Sequence, residues 1–180
     1  MAFRKIGIMV AALVVLPLGL AFGTGAGGLT WGEQYFDSTF SNYDLQARYS
    51  GVYGYSVTRG GQRIGGFAIG IDPNDQAADV HGGFIGAITG QEMRTGAFSA
   101  ALNIWTGLGG LSVNPVLRTG GGFALFGEAD LELGVSFMKG FQVVVYGGMQ
   151  GLADVATGRL DWSAIYYTPV FGVRVAWGSF

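Results

Sequence analysis

The sequence contains no cysteine and a single histidine among its 180 residues. The lack of cysteine excludes a disulfide framework, a zinc ribbon and a thiolate nucleophile, and one histidine excludes a multi-histidine metal site. Charge is also scarce, because Asp, Glu, Lys and Arg make up 12 % of the chain, against roughly 25 % in typical globular domains. We expect no cofactor.

Apolar residues, glycine and aromatic rings are abundant instead. Hydrophobic residues make up 49 % of the chain, aromatic residues 14 %, and glycine occupies 34 positions. Long helices are disfavoured, because each interior glycine costs about 0.5–1 kcal/mol relative to alanine. A chain of this length is expected to form one domain with a substantial core. So apolar a composition indicates that part of that domain faces a solvent other than water.

The first residues have the three parts of a secretory signal peptide. Arg4 and Lys5 form a basic start, residues 6–20 an apolar run, and residues 21–23 (AFG) a small-x-small cleavage site. A retained membrane anchor is the alternative interpretation. The predicted division is a signal peptide, residues 1–23, and a mature domain, residues 24–180.

Cleavage would make the chain more acidic. It removes two of the ten basic residues and no acid, which leaves eight basic against twelve acidic residues and a net charge of about −4. A chain with this balance and no basic patch is not expected to bind nucleic acid.

Polar and apolar residues alternate along much of the chain after residue 40, which is typical of β-strands. The clearest stretch is residues 126–137, FGEADLELGVSF, where Glu128, Asp130 and Glu132 alternate with apolar residues. In residues 43–57 four tyrosines share one face. The alternation predicts eight strands, near residues 29–37, 43–57, 62–71, 80–90, 95–108, 123–137, 141–150 and 167–177.

The connections between these strands alternate between short and mostly longer segments. The short ones are residues 58–62, 90–94 and 138–140, and the others are rich in Asp, Asn, Pro and Gly. This rhythm favours an up-and-down sheet whose two ends differ. The predicted fold is therefore all-β, an eight-stranded antiparallel up-and-down transmembrane β-barrel, since each strand is near the 9–11 residues that cross a bilayer when tilted.

Two other arrangements could account for so much apolar sequence. A soluble barrel would turn its apolar face inward, and a helical membrane protein would use residues 96–113, which carry no charge but contain four glycines. The length of the apolar strands and the aromatics at their ends favour an apolar face toward lipid. The predicted membrane-interface aromatics are Tyr43, Tyr55, Phe123, Phe137, Phe141, Tyr167 and Trp177.

The whole mature chain, with its alternation, its loop rhythm and its closing segment VFGVRVAWGSF, resembles small eight-stranded outer-membrane β-barrels of the OmpA/OmpX type. The resemblance implies a bacterial outer-membrane location, contact with outer-membrane lipid and lipopolysaccharide, and a monomer. It also implies periplasmic chaperones and a barrel-assembly machinery that reads Phe171, Trp177 and Phe180. Phe180 is out of phase with the preceding apolar positions, so it needs a bulge near residues 178–179 to face outward.

With polar residues inward, the lumen would contain a network of opposite charges, because unpaired buried charges are costly. The predicted members are Asp44, Arg48, Glu128, Asp130, Glu132 and Arg174. The three acids at every second position lie roughly 7 Å apart, too far for all three to bind one Ca²⁺ without other strands.

The function expected from this pattern is structural or surface-interacting, namely envelope integrity or adhesion through the loops. A narrow channel is the first alternative. A lipid-modifying enzyme is the second, resting on His81, because a histidine near a carboxylate is a familiar general base. The segment DVHGGF around it matches no catalytic motif, so we expect no enzymatic activity.

Overall fold

The computed structural model describes residues 25–36, 45–73, 80–113, 122–154 and 165–179. The predicted signal peptide, Tyr43, Asp44 and Phe180 lie outside these residues. The eight strands are β1 (Gly25–Phe36), β2 (Leu45–Val57), β3 (Gln62–Pro73), β4 (Val80–Thr95), β5 (Phe98–Val113), β6 (Gly122–Met138), β7 (Phe141–Asp154) and β8 (Ile165–Gly178).

The strands form one closed sheet. Each strand pairs antiparallel with the next along the chain, and β1 pairs with β8 to close the ring. The predicted eight-stranded antiparallel up-and-down β-barrel is confirmed. Among the residues that the structure describes, no helix is long and apolar enough to cross a membrane.

Three tight turns lie at one end of the barrel, which we call the turn end; the opposite end is the loop end. Each turn contains a glycine in the left-handed region, Gly61 (φ 81°), Gly96 (φ 59°) and Gly140 (φ 82°), where other residues are disfavoured. The predicted β4–β5 turn at residues 90–94 is wrong. β4 continues to Thr95, because Glu92 and Met93 still alternate between the lumen and the outer face.

Polar and apolar side chains are distributed in the reverse of the usual order. Large apolar side chains lie exposed on the outer face, as with Leu131 and Leu133, each 55 % exposed. Buried polar side chains fill much of the lumen. They are Thr30, Gln34, Arg63, Glu92, Ser99, Asn103, Glu128, Asp130, Glu132, Gln142, Gln150, Thr168 and Arg174.

An aromatic block fills part of the lumen on the β3–β6 side. It consists of Phe67, Phe84, Trp105 and Phe126. The Phe67 ring centroid lies 5.0 Å from that of Trp105 and 5.3 Å from that of Phe126, and Phe84 lies 5.4 Å from Phe126. These separations are typical of favourable ring pairs, so the block is a packed core.

Strand β2 faces the opposite way from the prediction. Tyr49, Tyr53 and Tyr55 point into the lumen and are buried, whereas Arg48 is exposed on the outer face. Inside, the Tyr49 hydroxyl bonds the Tyr146 hydroxyl. The Arg63 guanidinium carbon lies 4.3 Å from the Tyr55 ring centroid. The tyrosines therefore find polar and cationic partners within the barrel, and the prediction of Tyr55 as an interface aromatic is wrong.

The remaining interface aromatics within the described residues lie on the outer face. Phe123, Phe137, Tyr167 and Trp177 are exposed, and Phe141 is half-buried beside Trp177, its register partner. Phe171 is also exposed on this face. Their roles at a membrane interface and in assembly stay predictions.

Glycines on the inner face make room for the lumen rings. A Cβ added at Gly86 would strike the backbone oxygen of Thr106 and approach the Phe67 ring, and one at Gly107 would also meet that ring. These strand glycines therefore accommodate the neighbouring aromatic ring of Phe67.

We predict that Gly86→Ala destabilises the barrel, because its methyl group collides with backbone that cannot move without breaking strand pairing. The expected loss is about 1–3 kcal/mol in the free energy of unfolding, measured by urea titration of the folded protein in lipid vesicles. Gly127→Ala is the matched control, since a Cβ there meets nothing within 4 Å. Equal unfolding midpoints for the two variants would contradict the prediction.

Candidate functional site

The three alternating acids of β6 lie side by side on the inner face of that strand. Glu128, Asp130 and Glu132 are all buried. Their positions follow from the two-residue period of a β-strand, because the intervening Ala129 and Leu131 take the outer face. A single strand therefore delivers three carboxylates to the middle of the lumen.

Arg174 of β8 forms ion pairs with all three acids. Its Nη2 lies 3.0 Å from Glu128 Oε1, and its Nη1 lies 2.7 Å from Asp130 Oδ2 and also pairs with Glu132. The contact with Asp130 Oδ2 is ionic only, because that oxygen has no aligned hydrogen bond. The side chain of Arg174 is fully buried.

Aromatic rings hold Arg174 in place. Its guanidinium carbon lies 4.3 Å from the Trp105 ring centroid and 3.7 Å from that of Tyr146. Both distances are within the range of cation–π contacts, which strengthen when the cation is desolvated. β5 and β7 thus fix the guanidinium that the acids of β6 surround.

A second arginine, Arg63 of β3, extends the network toward the turn end. Its Nε donates to Glu92 Oε2 at 2.8 Å, and its Nη1 donates to Glu132 and, at 3.3 Å, to Asn103 Oδ1. Arg94 binds the other oxygen of Glu92, with Nη2 at 2.7 Å and Nε at 3.0 Å. Glu92 is therefore shared between Arg63 and Arg94, and Glu132 is shared between Arg63 and Arg174.

These side chains form a continuous line of alternating charge, which we call the charge column. Beyond Glu128 it continues through amides, as Gln150 Nε2 donates to Glu128 Oε2 at 3.1 Å and Gln34 Nε2 donates to Gln150 Oε1 at 2.5 Å. In order from the turn end, the charge column is Arg94, Glu92, Arg63, Glu132, Arg174 and Glu128.

The predicted network is thus partly different from the one in the structure. The structure brings Arg174 together with Glu128, Asp130 and Glu132. Asp44 lies outside the described residues. Arg48 does not join them, because the tyrosines of β2 take the inner face and leave Arg48 outside.

Sequence reasoning missed Arg63, Glu92 and Arg94. Arg63 shares its face of β3 with Phe67 and Ile69, so that strand shows no simple polar face. Glu92 and Arg94 fall in the turn that the sequence predicts at residues 90–94. One signal was available: if Ile64 and Met93 face outward as apolar residues, their neighbours Arg63, Glu92 and Arg94 must face inward.

The charge column suits structural pairing better than ligand binding. Its acids are bound to guanidinium groups, and its arginines are bound to acids, so few atoms are open to a substrate. Within the described ranges, no group of three His, Asp or Glu side chains is placed to hold a metal ion. His81 lies apart from the column, half-exposed near the loop end, with Nδ1 3.6 Å from Asp72 Oδ1.

The chain is similar to solved structures of other proteins. Neisserial surface protein A (NspA) matches with a TM-score of 0.62 and 10 % sequence identity over 87 % of this chain and 97 % of NspA. The N-terminal β-barrel domain of Pseudomonas aeruginosa OprF matches with a TM-score of 0.45 and 13 % identity, over 86 % of this chain and 98 % of that domain. No protein-family model matches the sequence, and no curated protein matches it. The likeness to NspA establishes the eight-stranded barrel as a shared fold.

We predict that Arg174→Gln lowers the free energy of unfolding by roughly 3–5 kcal/mol, since it leaves buried carboxylates uncompensated. Urea unfolding in vesicles measures the loss. Arg59→Gln, which removes an exposed arginine of a tight turn, is the control and should change stability by less than about 0.5 kcal/mol.

A second substitution separates charge from packing. Adding Glu128→Gln to the Arg174→Gln variant removes one uncompensated charge. The double variant should therefore lose less free energy of unfolding than the two single variants lose together. Strict additivity would contradict the charge column as the source of the loss.

Proposed function

We propose that the chain is a bacterial outer-membrane β-barrel with a structural or surface-interaction role, either in envelope integrity or in adhesion through its loops. The observation that carries this proposal is the reversed distribution of side chains. Apolar groups cover the outer face of β4 to β8, and ionised groups are buried in the lumen. A soluble barrel of this size would expose those ionised groups and bury the apolar ones.

The hydrogen bonding of the sheet supports a hydrocarbon surrounding. In lipid every strand N–H and C=O needs a partner, and only a closed barrel provides one along both edges of every strand. Strands of 12 to 17 residues exceed the 9–11 residues that a tilted strand needs to cross the bilayer. Both features suit a membrane-spanning barrel with strand ends that project beyond the hydrocarbon.

The packed lumen supports a structural role over transport. Arg63, Arg174 and Glu132 lie buried across its middle, and the aromatic block occupies the β3–β6 side. A barrel of eight strands has an interior just wide enough for side chains. A surface-interaction role would then use the loops and the outer face of the barrel.

A narrow channel is the second candidate, and the continuity of the charge column favours it. The column leads from Arg94, which is partly exposed at the turn end, to Gln34 deep in the barrel. An ion could follow it only if the arginines exchanged partners. An enzyme that modifies lipid A is the third candidate, resting on His81 alone.

We predict that the protein fractionates with outer membranes and shows heat-modifiable gel mobility, because a closed barrel resists unfolding by detergent until it is boiled. The measurement compares unheated and heated samples of the membrane fraction. Recovery in the soluble fraction, or equal mobility of both samples, would contradict the proposed location.

We further predict no steady conductance in planar bilayers, since salt bridges and rings fill the lumen. Steady conductance that Glu128→Gln abolishes would favour the channel.

The enzyme alternative is tested by mass spectrometry of lipid A from cells that express the protein. We expect His81→Ala to leave the lipid A profile unchanged. Adhesion or envelope-integrity assays on loop-deletion variants test the remaining role.

A further inference from the structure

Among the residues that the structure describes, the charged side chains exposed at the turn end are all positive. Each of the three tight turns contains or adjoins one cation, namely Arg59 in the β2–β3 turn, Arg94 near the end of β4, and Lys139 between β6 and β7. Arg59 and Lys139 are exposed and Arg94 is partly exposed, whereas Glu92 at the same end is buried in the lumen. We call Arg59, Arg94 and Lys139 the turn-end cations.

A crevice lies between two of these turns. The β4–β5 and β6–β7 turns are neighbours on the rim of the barrel, because the Ser136 N–H donates to the Ala97 carbonyl oxygen at 2.8 Å. The crevice between them has a volume of about 380 Å³, within the range of roughly 300–1,000 Å³ that is usual for ligand sites. Arg94 and Lys139 both line it, so an anion that enters the crevice meets two cations.

The side of the crevice toward the outer wall is apolar. Phe137 and Met138 line the crevice as well, and their side chains are 68 % and 66 % exposed. Phe98, at the start of β5, is exposed on the same outer face, and its register partner Val135 precedes Phe137 by two residues on β6. Cations and exposed apolar side chains therefore lie next to one another, as the binding of an amphipathic molecule requires.

We propose that this crevice binds the headgroup of an anionic phospholipid. The Lys139 ammonium group donates hydrogen bonds to the lipid phosphate, a charge-assisted contact. Arg94 adds positive charge beside it, while its Nε and Nη2 stay bonded to Glu92. The acyl chains of the lipid lie along Phe98 and Phe137 on the outer face.

The site rests on the outer-membrane location proposed above. In barrels of that membrane the short turns face the periplasm, where the lipid leaflet consists of phospholipids. Basic residues just beyond the apolar region of a membrane protein attract anionic headgroups. Two of the turn-end cations have this placement, since the exposed Met93 precedes Arg94 and the exposed Met138 precedes Lys139.

The sign of the charges selects an anionic headgroup over a zwitterionic one. A choline or ethanolamine headgroup brings a cation together with its phosphate, and that cation would be repelled by Arg94 and Lys139. A phosphoglycerol headgroup brings a phosphate and no cation. Peptidoglycan offers carboxylates to Lys139, but it has no acyl chain to cover Phe98 and Phe137.

Fluorescence quenching of Trp177 by brominated lipids tests the proposal beside the crevice. Trp177 is exposed on the outer face of β8 and precedes Gly178, which lines the crevice. A variant with Trp31→Phe and Trp162→Phe keeps Trp177 and one tryptophan buried in the lumen. In vesicles, phosphatidylglycerol brominated near its headgroup should associate at Trp177 about fivefold more strongly than brominated phosphatidylcholine, the effect of about one basic residue near an anionic surface. The preference should disappear in about 1 M salt, which screens charges beyond about 3 Å.

Charge variants of this reporter identify the groups responsible. Lys139→Gln should remove most of the preference for phosphatidylglycerol, and Lys139→Arg should keep it. Arg59→Gln removes a turn-end cation that does not line the crevice, so it should reduce the preference by less than Lys139→Gln does. Arg48→Gln, which removes an exposed arginine toward the loop end, should leave the preference unchanged.

Three results would overturn the proposal. They are equal quenching of Trp177 by the two lipids, a preference that Lys139→Gln leaves intact, and a preference that Arg59→Gln removes as completely as Lys139→Gln does. Cosedimentation with isolated peptidoglycan that Lys139→Gln abolishes, in the absence of a lipid preference, would assign the crevice to peptidoglycan instead.

The lipid site and the membrane location fail separately. Heat-modifiable mobility of each variant in vesicles reports whether the barrel is folded and inserted. An inserted barrel without a headgroup preference overturns the lipid site alone. A reporter protein that does not insert into vesicles overturns the membrane location.

Discussion

Closure of the backbone hydrogen-bond ring is the constraint on which the rest of the structure depends. Once β1 pairs with β8, every strand has two partners and the lumen of eight strands is fixed at a width that side chains must fill. Rings that enter need glycine opposite, as at Gly86 and Gly107 against Phe67. Charges that enter need counter-charges within reach, which the charge column provides. The contents of the lumen are thus set by its geometry before any question of function arises.

The predictability of each strand depended on how unlike its two faces are. β6 was predicted correctly because Glu128, Asp130 and Glu132 oppose leucines, and only one orientation keeps three carboxylates out of an apolar surrounding. The orientation of β2 was predicted wrongly, because its tyrosines carry both an apolar ring and a hydroxyl. Either face of β2 could enter the lumen on composition alone. Pairing of Tyr49 with Tyr146, 97 residues away in sequence, and stacking of Tyr55 with Arg63 on the next strand decide the orientation.

The charge column was only half predictable for a related reason. Arg174 follows from the alternation of β8, whereas Arg63 lies on a strand whose inner face is charged at one end and apolar at the other. A two-residue period describes a strand with one environment along its length. The interior here has two environments along its axis, polar toward the turn end and aromatic farther in on one side.

The charge column also bears on the order in which the barrel can form. Arg63 on β3 and Glu132 on β6 belong to strands that are not neighbours in the sheet, and the Tyr49–Tyr146 pair spans the β1–β8 seam. Neither contact exists in an open sheet, where the same side chains would meet lipid or water singly. Their stabilisation is gained only when the edges meet, so closure is cooperative. A half-closed barrel leaves its lumen arginines without these partners and is therefore disfavoured. The lumen charges thereby favour the fully closed barrel over partly assembled forms.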